Sequence, residues 1–221
     1  MSETAAKTNQ ELDSFVNGLV ADLRPVKPLL SPWLRALIWL GLVAIVALGL
    51  VSFADLSAFR ARMMGAPDMW LAVVGSALTA ALAVVAALEV DLPDRSRAWG
   101  LLPLPGLALW IGASGLGCAR NWLIPGTHEA SLADTKDCLA FILGLSIPLS
   151  AVLLVMLRRG YSLAPNLTGA LAGLAVAAAA ATLLTLFHPY DAAVTDLAVH
   201  AAAVALVIIA NRFLAGRILG R

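Results

Sequence analysis

Two cysteines and a few histidines and acids are the residues of this 221-residue chain whose types could do chemistry. Cys118 and Cys138 could form a disulfide, act as a redox-sensitive thiol pair, or bind a soft metal ion, because such metals prefer thiolate sulfur. Their spacing matches no known metal-binding signature. The possible accessory ligands are His128, His188, Asp196 and His200.

Each of these residues also has a purely structural interpretation. Cys118 and Cys138 head two neighbouring helices, so they could form a disulfide that only staples the helices, or be two separate helix-end residues. Asp196 and His200 are four residues apart and share a helical face. An ionisable pair inside a membrane is usually functional, but near the interface a satisfied polar contact explains it equally well. Both interpretations stay open at this point.

The composition decides what kind of element must position these side chains. The chain is 61% hydrophobic and 13% charged, whereas a soluble domain has about 45–50% apolar and about 25% charged residues. A chain of this length cannot hide so much apolar surface in one water-soluble core. The sequence therefore predicts an all-α polytopic membrane protein.

Six apolar runs are long enough to cross a hydrocarbon core of about 30 Å. The third is interrupted by Pro103 and Pro105, which a bundle tolerates when neighbouring helices satisfy the freed backbone groups. In the fifth, Gly169 and Gly173 form a Gly-xxx-Gly pair that lets helices approach closely. The predicted spans are 33–54, 69–90, 98–117, 138–157, 166–187 and 192–214.

The distribution of lysine and arginine predicts the orientation of these spans. With the N-terminus inside, eleven of the 15 cations fall in inner segments and four in outer loops. This bias favours a cytoplasmic location for both termini. Every cysteine and histidine of the chain is then predicted at, or facing, the outer side.

Ahead of the first span, the sequence predicts an amphipathic helix followed by a proline-rich connector. Thr8 and Glu11 have the spacing of a capping box, and the helix should end near Leu23, because Arg24 precedes Pro25. We expect residues 1–32 to form this cytoplasmic segment and residues 33–221 the membrane domain. The apolar stripe of the helix comprises Leu12, Phe15, Val16, Leu19 and Leu23.

A helix of about 16 residues is marginal alone in water, so its apolar face must dock on something. The candidates are the membrane surface, the protein's own bundle, and a hydrophobic groove on a cytoplasmic protein. Acidic residues at positions 11, 13 and 22 argue against the membrane surface, where interfacial helices carry lysine and arginine.

Known catalytic signatures are absent from the sequence, which contains no P-loop, no Gly-x-Ser-x-Gly and no His-Glu-x-x-His. We therefore expect no enzymatic activity and no cofactor. A small transporter or channel-like protein with a structural disulfide on the outer side remains an alternative.

The chain resembles the NrsF-type membrane anti-sigma factors of proteobacteria (NrsF, negative regulator of sigma F). The resemblance is carried by "DLRPVKPL" after a short helix, by "WLRALIWLGL" opening the first of six spans, and by Cys118 and Cys138 on the outer side.

The resemblance implies a multi-pass protein of the bacterial inner membrane whose cytoplasmic segment holds an extracytoplasmic-function sigma factor. A heavy-metal or oxidative signal, sensed by Cys118 and Cys138, would release the sigma factor. The sigma factor and the lipid bilayer are then the partners, with no direct contact to nucleic acid. The residues expected to bind the sigma factor are Leu12, Phe15, Val16, Leu19, Asp22, Leu23, Arg24, Pro25 and Val26.

Overall fold

The fold was obtained as a computed structural model, which describes residues 2–21, 28–65, 67–123, 132–187 and 194–220. Within these ranges the chain is helical, without strands, and a short 3-10 helix, Arg97–Leu101, precedes the fifth α-helix. The α-helices are α1 (Ser2–Ala21), α2 (Pro32–Val51), α3 (Leu56–Gly65), α4 (Pro67–Val90), α5 (Leu104–Leu123), α6 (Leu132–Leu157), α7 (Pro165–Leu184) and α8 (Val194–Leu219).

Six of these helical segments are long and apolar enough to cross a membrane, which confirms the predicted all-α, six-span fold class. The spans are Pro32–Val51, Asp68–Val90, Arg97–Arg120, Lys136–Leu157, Pro165–Leu184 and Leu197–Leu219. Six apolar helices indicate a multi-pass membrane protein. The division of the chain at residue 32 into a cytoplasmic and a membrane part stays a prediction.

Two features differ from the sequence expectation. Helix α1 begins at Ser2, ahead of the Thr8–Glu11 capping box, because Glu3, Ala5 and Ala6 are good helix formers that extend the helix towards the N-terminus. The helix α3, Leu56–Gly65, follows the first span where the sequence suggested only a loop. Asp55 starts it by accepting hydrogen bonds from the backbone N–H groups of Ser57 and Ala58, as an N-cap residue does.

Helices α4 and α7 form the centre of the bundle and pack against each other. In their spans 56% and 72% of the residues are buried, against 17% in each of α2 and α8. Helix α5 packs on α4, α8 packs on α7, and α6 lies against both α7 and α8. A hydrogen bond of 2.8 Å between the hydroxyls of Ser76 and Thr182 joins the two central helices.

The predicted Gly-xxx-Gly pair lies where α7 and α8 cross. A Cβ atom on Gly169 would overlap the Cβ of Ala215, and one on Gly173 would lie 2.6 Å from the Cα of Ile208. Small residues let the two backbones come this close, so dispersion contacts form along the crossing.

Helix α2 buries side chains fully only in its first two turns, and Leu40 and Val43 beyond them pack against the core while partly exposed. Its buried residues are Pro32, Arg35, Ala36 and Trp39, and the indole Nε1 of Trp39 donates to the Leu149 carbonyl of α6 at 3.3 Å. Ser31 caps the helix by accepting from the Leu34 N–H, directly after the connector. Helix α2 starts, and helices α4 and α6 terminate, at one side of the bundle, which we call the connector end. The opposite side contains both cysteines, and we call it the thiol end.

Candidate functional site

The apolar face of α1 is fully open. Its five large apolar side chains are 46–65% exposed, and α1 makes no extended contact with the other described helices. Four of them are the predicted stripe residues, and the sequence analysis missed the fifth, Val20, whose spacing of eight from Leu12 places it on the same face. The five residues are Leu12, Phe15, Val16, Leu19 and Val20.

Several predicted site residues lie outside the described ranges. They are Asp22, Leu23, Arg24, Pro25 and Val26, between α1 and α2 in the sequence, His128, between α5 and α6, and His188, between α7 and α8. Asp196 lies near the start of α8, and His200 lies one turn later in the same helix, partly buried. The binding and ligand roles of all these residues stay predictions.

The two cysteines occupy different environments at the thiol end. Cys138 is buried in a cluster with Ile142, Ala180, Leu184 and Ala203, formed by α6, α7 and α8. Cys118 is partly exposed near the end of α5, a helix that packs mainly on α4 and shares little contact with α6. No disulfide joins the two thiols in the structure.

A metal site is not assembled among the described residues, which contain no cluster of three or more His, Cys, Asp and Glu side chains. The ion pair closest in sequence to Cys118 joins Arg120 Nη1 to Asp68 Oδ1 at 2.7 Å, linking the end of α5 to the start of α4. Its arginine is 45% exposed, so water weakens the attraction.

The connector end contains a buried ion pair that the sequence analysis did not identify. Arg35 lies in the first turn of α2, and Asp91 directly follows α4. Arg35 Nη2 is 3.7 Å from Asp91 Oδ2, and the two side chains are 5% and 0% exposed, respectively. At this separation the contact is an ion pair rather than a hydrogen bond. Arg35 Nη2 also donates to the Met156 carbonyl near the end of α6. One guanidinium thus holds three helices together, and we call Arg35, Asp91 and the Met156 carbonyl the clamp.

The surroundings of Asp91 leave little freedom to this carboxylate. A Cβ atom on Gly160, in the turn after α6, would overlap it, so a larger residue there would displace the clamp. On the same side, Glu89 is 2% exposed and lies 3.2 Å from Arg95, which is 45% exposed. The connector end therefore has two acids buried within three residues, each facing an arginine.

Burial raises the pKa of Asp91 to about 7, from an ordinary value of 3.8. Loss of water around the carboxylate disfavours its charged form, and the positive charge of Arg35 offsets only part of this effect. Asp91 lies just beyond the second span, at the membrane border. It can therefore change its charge near neutral pH.

The positions of Arg35 and Asp91 in the sequence indicate that each is a candidate for burial, although they do not indicate that the two residues pair. Arg35 comes three residues after the start of an apolar span and Asp91 one residue after the end of another. Ionisable groups at such positions face the bundle interior and pair with each other more often than they face lipid. Arg35 is one of the eleven inner cations that predict the orientation, and its burial in the clamp is a second role.

Comparison with known proteins gives one match. A family model described as NrsF, negative regulator of sigma F, matches residues 19–220, nearly the whole chain. No curated protein and no solved structure matches.

Proposed function

The chain belongs to the NrsF family of negative regulators of sigma F, and from this membership we propose that it is a membrane-bound anti-sigma factor. In this proposal, α1 and the connector lie in the cytoplasm and sequester an extracytoplasmic-function sigma factor at the bacterial inner membrane. A heavy-metal or oxidative signal on the periplasmic side, sensed by Cys118 and Cys138, releases it. Membership in a family of regulators implies a non-enzymatic role.

The observation that carries the proposal is the open apolar face of α1. A helix of 20 residues is marginal alone in water. Its large apolar side chains are 46–65% exposed, so a partner that buries them stabilises the complex by roughly 1 kcal/mol per side chain. The bundle does not cover this face. In a family that regulates a sigma factor, the sigma factor is the occupant that best fits the helix-in-groove mode.

The charge of α1 indicates what the partner surface looks like. Glu3, Glu11 and Asp13 outnumber the one cation of this helix, Lys7. Acids disfavour docking on the anionic membrane surface and favour a groove bordered by lysine and arginine. We therefore expect α1 to bind an apolar groove with a basic rim on the sigma factor.

Sensing by the thiols requires that a change at one end of the bundle alters the other. Such coupling needs an element with two arrangements that both ends bias. Helix α6 extends from the buried Cys138 to the clamp carbonyl of Met156. Oxidation or metal capture at Cys138 would disturb its packing against α7 and α8, and α6 would pass the displacement on.

The placement of buried charge favours this proposal over a small transporter. Among the described residues, the buried charged side chains are Arg35, Glu89 and Asp91, all at the connector end. A transporter would be expected to hold its ionisable binding groups near the middle of the bundle.

The proposal is tested by recovering the partner with the full-length chain. The tagged chain is purified in detergent from its host, and the bound proteins are identified by mass spectrometry. We expect an extracytoplasmic-function sigma factor with the wild type and its loss with Leu19→Asp. Asn17→Asp is the control, because Asn17 is exposed on α1 outside the apolar stripe.

Burying a new charge in an apolar groove costs more than the lost leucine contact, so Leu19→Asp should weaken binding at least about tenfold. Recovery of the sigma factor with Leu19→Asp, or its absence from the wild-type sample, would contradict the proposed function.

A further inference from the structure

The clamp lies next to the start of α2, where the chain enters the bundle after α1 and the connector. The connector ends at Ser31, α2 begins at Pro32, and Arg35 lies one turn from this start. Beyond Trp39 no residue of α2 is buried. All four buried residues of α2 therefore lie in its first two turns, next to the point where the chain from α1 enters the bundle.

Ala36 and Trp39 hold this segment by apolar packing, whereas the Arg35–Asp91 contact is an ion pair without a saturated network of hydrogen bonds. Among the described residues, no donor forms a hydrogen bond with either carboxylate oxygen of Asp91. Likewise, Arg35 Nη1 has no hydrogen-bond acceptor. A buried ion pair is weak evidence for stability, because well-packed apolar residues often stabilise as much. Its best-attested use is to fix one arrangement of helices against another.

The clamp also connects to the thiol end through a single helix. Helix α6 carries Cys138 near its start and contributes the Met156 carbonyl near its end. Gly160 in the following turn lies so close to Asp91 that a Cβ atom there would overlap the carboxylate. A rigid helix transmits a displacement along its length. In α6, Pro148 lies between Cys138 and Met156, removes one internal hydrogen bond, and is a point where the helix can bend. A displacement of the part of α6 beyond Pro148 therefore reaches both partners of the ion pair.

We propose that the Arg35–Asp91 ion pair positions the first turn of α2, and with it the connector and α1, and that opening of this pair accompanies release of the sigma factor. The release step rests on the function proposed above, whereas the positioning step concerns the bundle alone. Arg35 and Asp91 are positioning residues, since they need not touch the sigma factor.

The positioning step is tested by distance measurements on the full-length chain in lipid nanodiscs. A ketone-bearing amino acid at Leu30 and Tyr161, which are 55% and 81% exposed, accepts nitroxide labels and leaves both cysteines in place. Double electron–electron resonance then reports the distance across the connector end. A second label pair at Phe53 and Trp122, 82% and 78% exposed, reports on the thiol end.

The variants are Asp91→Asn and Arg35→Lys, with Arg120→Gln as the matched control that breaks an ion pair at the thiol end. We expect a longer and broader Leu30–Tyr161 distance distribution in both clamp variants and no change in the control. The Phe53–Trp122 distribution should stay as in the wild type for the clamp variants, which a general loss of packing would not allow.

An unchanged Leu30–Tyr161 distribution in folded Asp91→Asn would overturn the positioning step. If that variant does not fold, Arg35→Lys decides in the same way, because lysine keeps the charge but lacks the planar fork that reaches both Asp91 and the Met156 carbonyl.

The release step is tested by the dissociation rate of the sigma factor that co-purifies with the wild-type chain. We expect dissociation several-fold faster from Asp91→Asn than from Arg120→Gln. Altered distances with an unaltered rate would overturn the release step and leave α1 as the docking helix. Retention of the sigma factor by Leu19→Asp, in contrast, would contradict the proposed function and not the clamp.

Discussion

A single residue changes its properties most strongly where the fold removes it from water. Asp91 is an ordinary acid in sequence, but its side chain is 0% exposed and its pKa is raised to about 7. Arg35 attracts it across 3.7 Å, and this attraction does not fully compensate for lost hydration. The charge at the clamp is therefore sensitive to pH in the physiological range.

The raised pKa of Asp91 predicts how the stability of the chain varies with pH. In the unfolded state Asp91 loses its proton above about pH 4, whereas in the folded state it keeps the proton up to about pH 7. The stronger proton binding of the folded state therefore stabilises the fold fully below about pH 4, and this stabilisation is lost as pH rises through about 7. The slope in this window should be about 1 kcal/mol per pH unit. The charged group that acts on Asp91 is Arg35 on α2, and Arg159 after α6 in turn acts on Arg35. Glu89 and Arg95 form a separate ion pair near the end of α4.

Thermal unfolding in detergent between about pH 5 and pH 8 checks this prediction. Asp91→Asn is the comparison, because asparagine cannot titrate. The wild type should lose stability relative to this variant as pH rises. Parallel pH profiles of the two proteins would show that Asp91 does not titrate in the window.

The thiols make a second prediction at the scale of single residues. If Cys118 and Cys138 sense the signal, Cys118→Ser and Cys138→Ser should each reduce induction of a sigma-dependent reporter by cadmium or a thiol oxidant several-fold, because thiolate chemistry is lost. Ser114→Ala, one helical turn before Cys118 on α5, is the control. Full induction in both cysteine variants would remove the sensing half of the proposed function.

At the scale of helices, each element combines a local cause with a tertiary role. Ser31 and Pro32 start α2 sharply after the connector, and the small residues of α7 allow the close crossing with α8. Helix α1 differs from the rest because its apolar face has a helical period but no covering helix in the described chain. An element left in this state is suited to binding a partner.

Glycines that lie inside and outside a close helix crossing should respond differently to substitution by alanine. Gly173→Ala places a methyl group against the Ile208 backbone, and such overpacking should cost about 1–3 kcal/mol. Gly112→Ala on α5 meets nothing within 4 Å and should be neutral or gain up to about 1 kcal/mol from helix propensity. Unfolding of both variants in detergent distinguishes the two effects, and an equal loss in both would contradict the packing argument.

At the scale of the whole molecule, the bundle separates the buried ion pair of the clamp from the two thiols by the length of a span. The clamp and the start of α2 lie at one end, and the cysteines with the Asp68–Arg120 ion pair lie at the other. The two central helices α4 and α7 connect these ends through a continuous core of small and branched side chains. The function proposed above needs this separation, because it places sensing at one end of the bundle and sigma-factor binding at the other.

The distribution of cations predicts the orientation of the molecule, with both termini and the connector end in the cytoplasm. Alkaline phosphatase fused after Ser57, between α2 and α4, should be active, and phosphatase fused after Ser96 or at the C-terminus should be inactive. Fluorescent protein fusions at the same positions should give the reverse pattern. Activity of the Ser96 fusion would invert the proposed topology and place α1 away from any sigma factor.

Local properties of the sequence were enough to predict much of this protein. The length and hydropathy of each run determine whether it can span a membrane, so the six spans followed from composition. Spacings of three and four determine one face of a helix, so Leu12, Phe15, Val16 and Leu19 were predicted as a stripe and are all exposed.

Only the tertiary structure decided which distant residues meet. Arg35 and Asp91 belong to different helices, and their pairing depends on how α2 crosses α4 and α6, which no local pattern specifies. The same holds for the cysteines, which are near in sequence but lie on helices with different neighbours. Helix identity is a property of neighbouring residues in the chain, whereas burial, ion pairing and the pKa of Asp91 depend on contacts that form when the bundle packs.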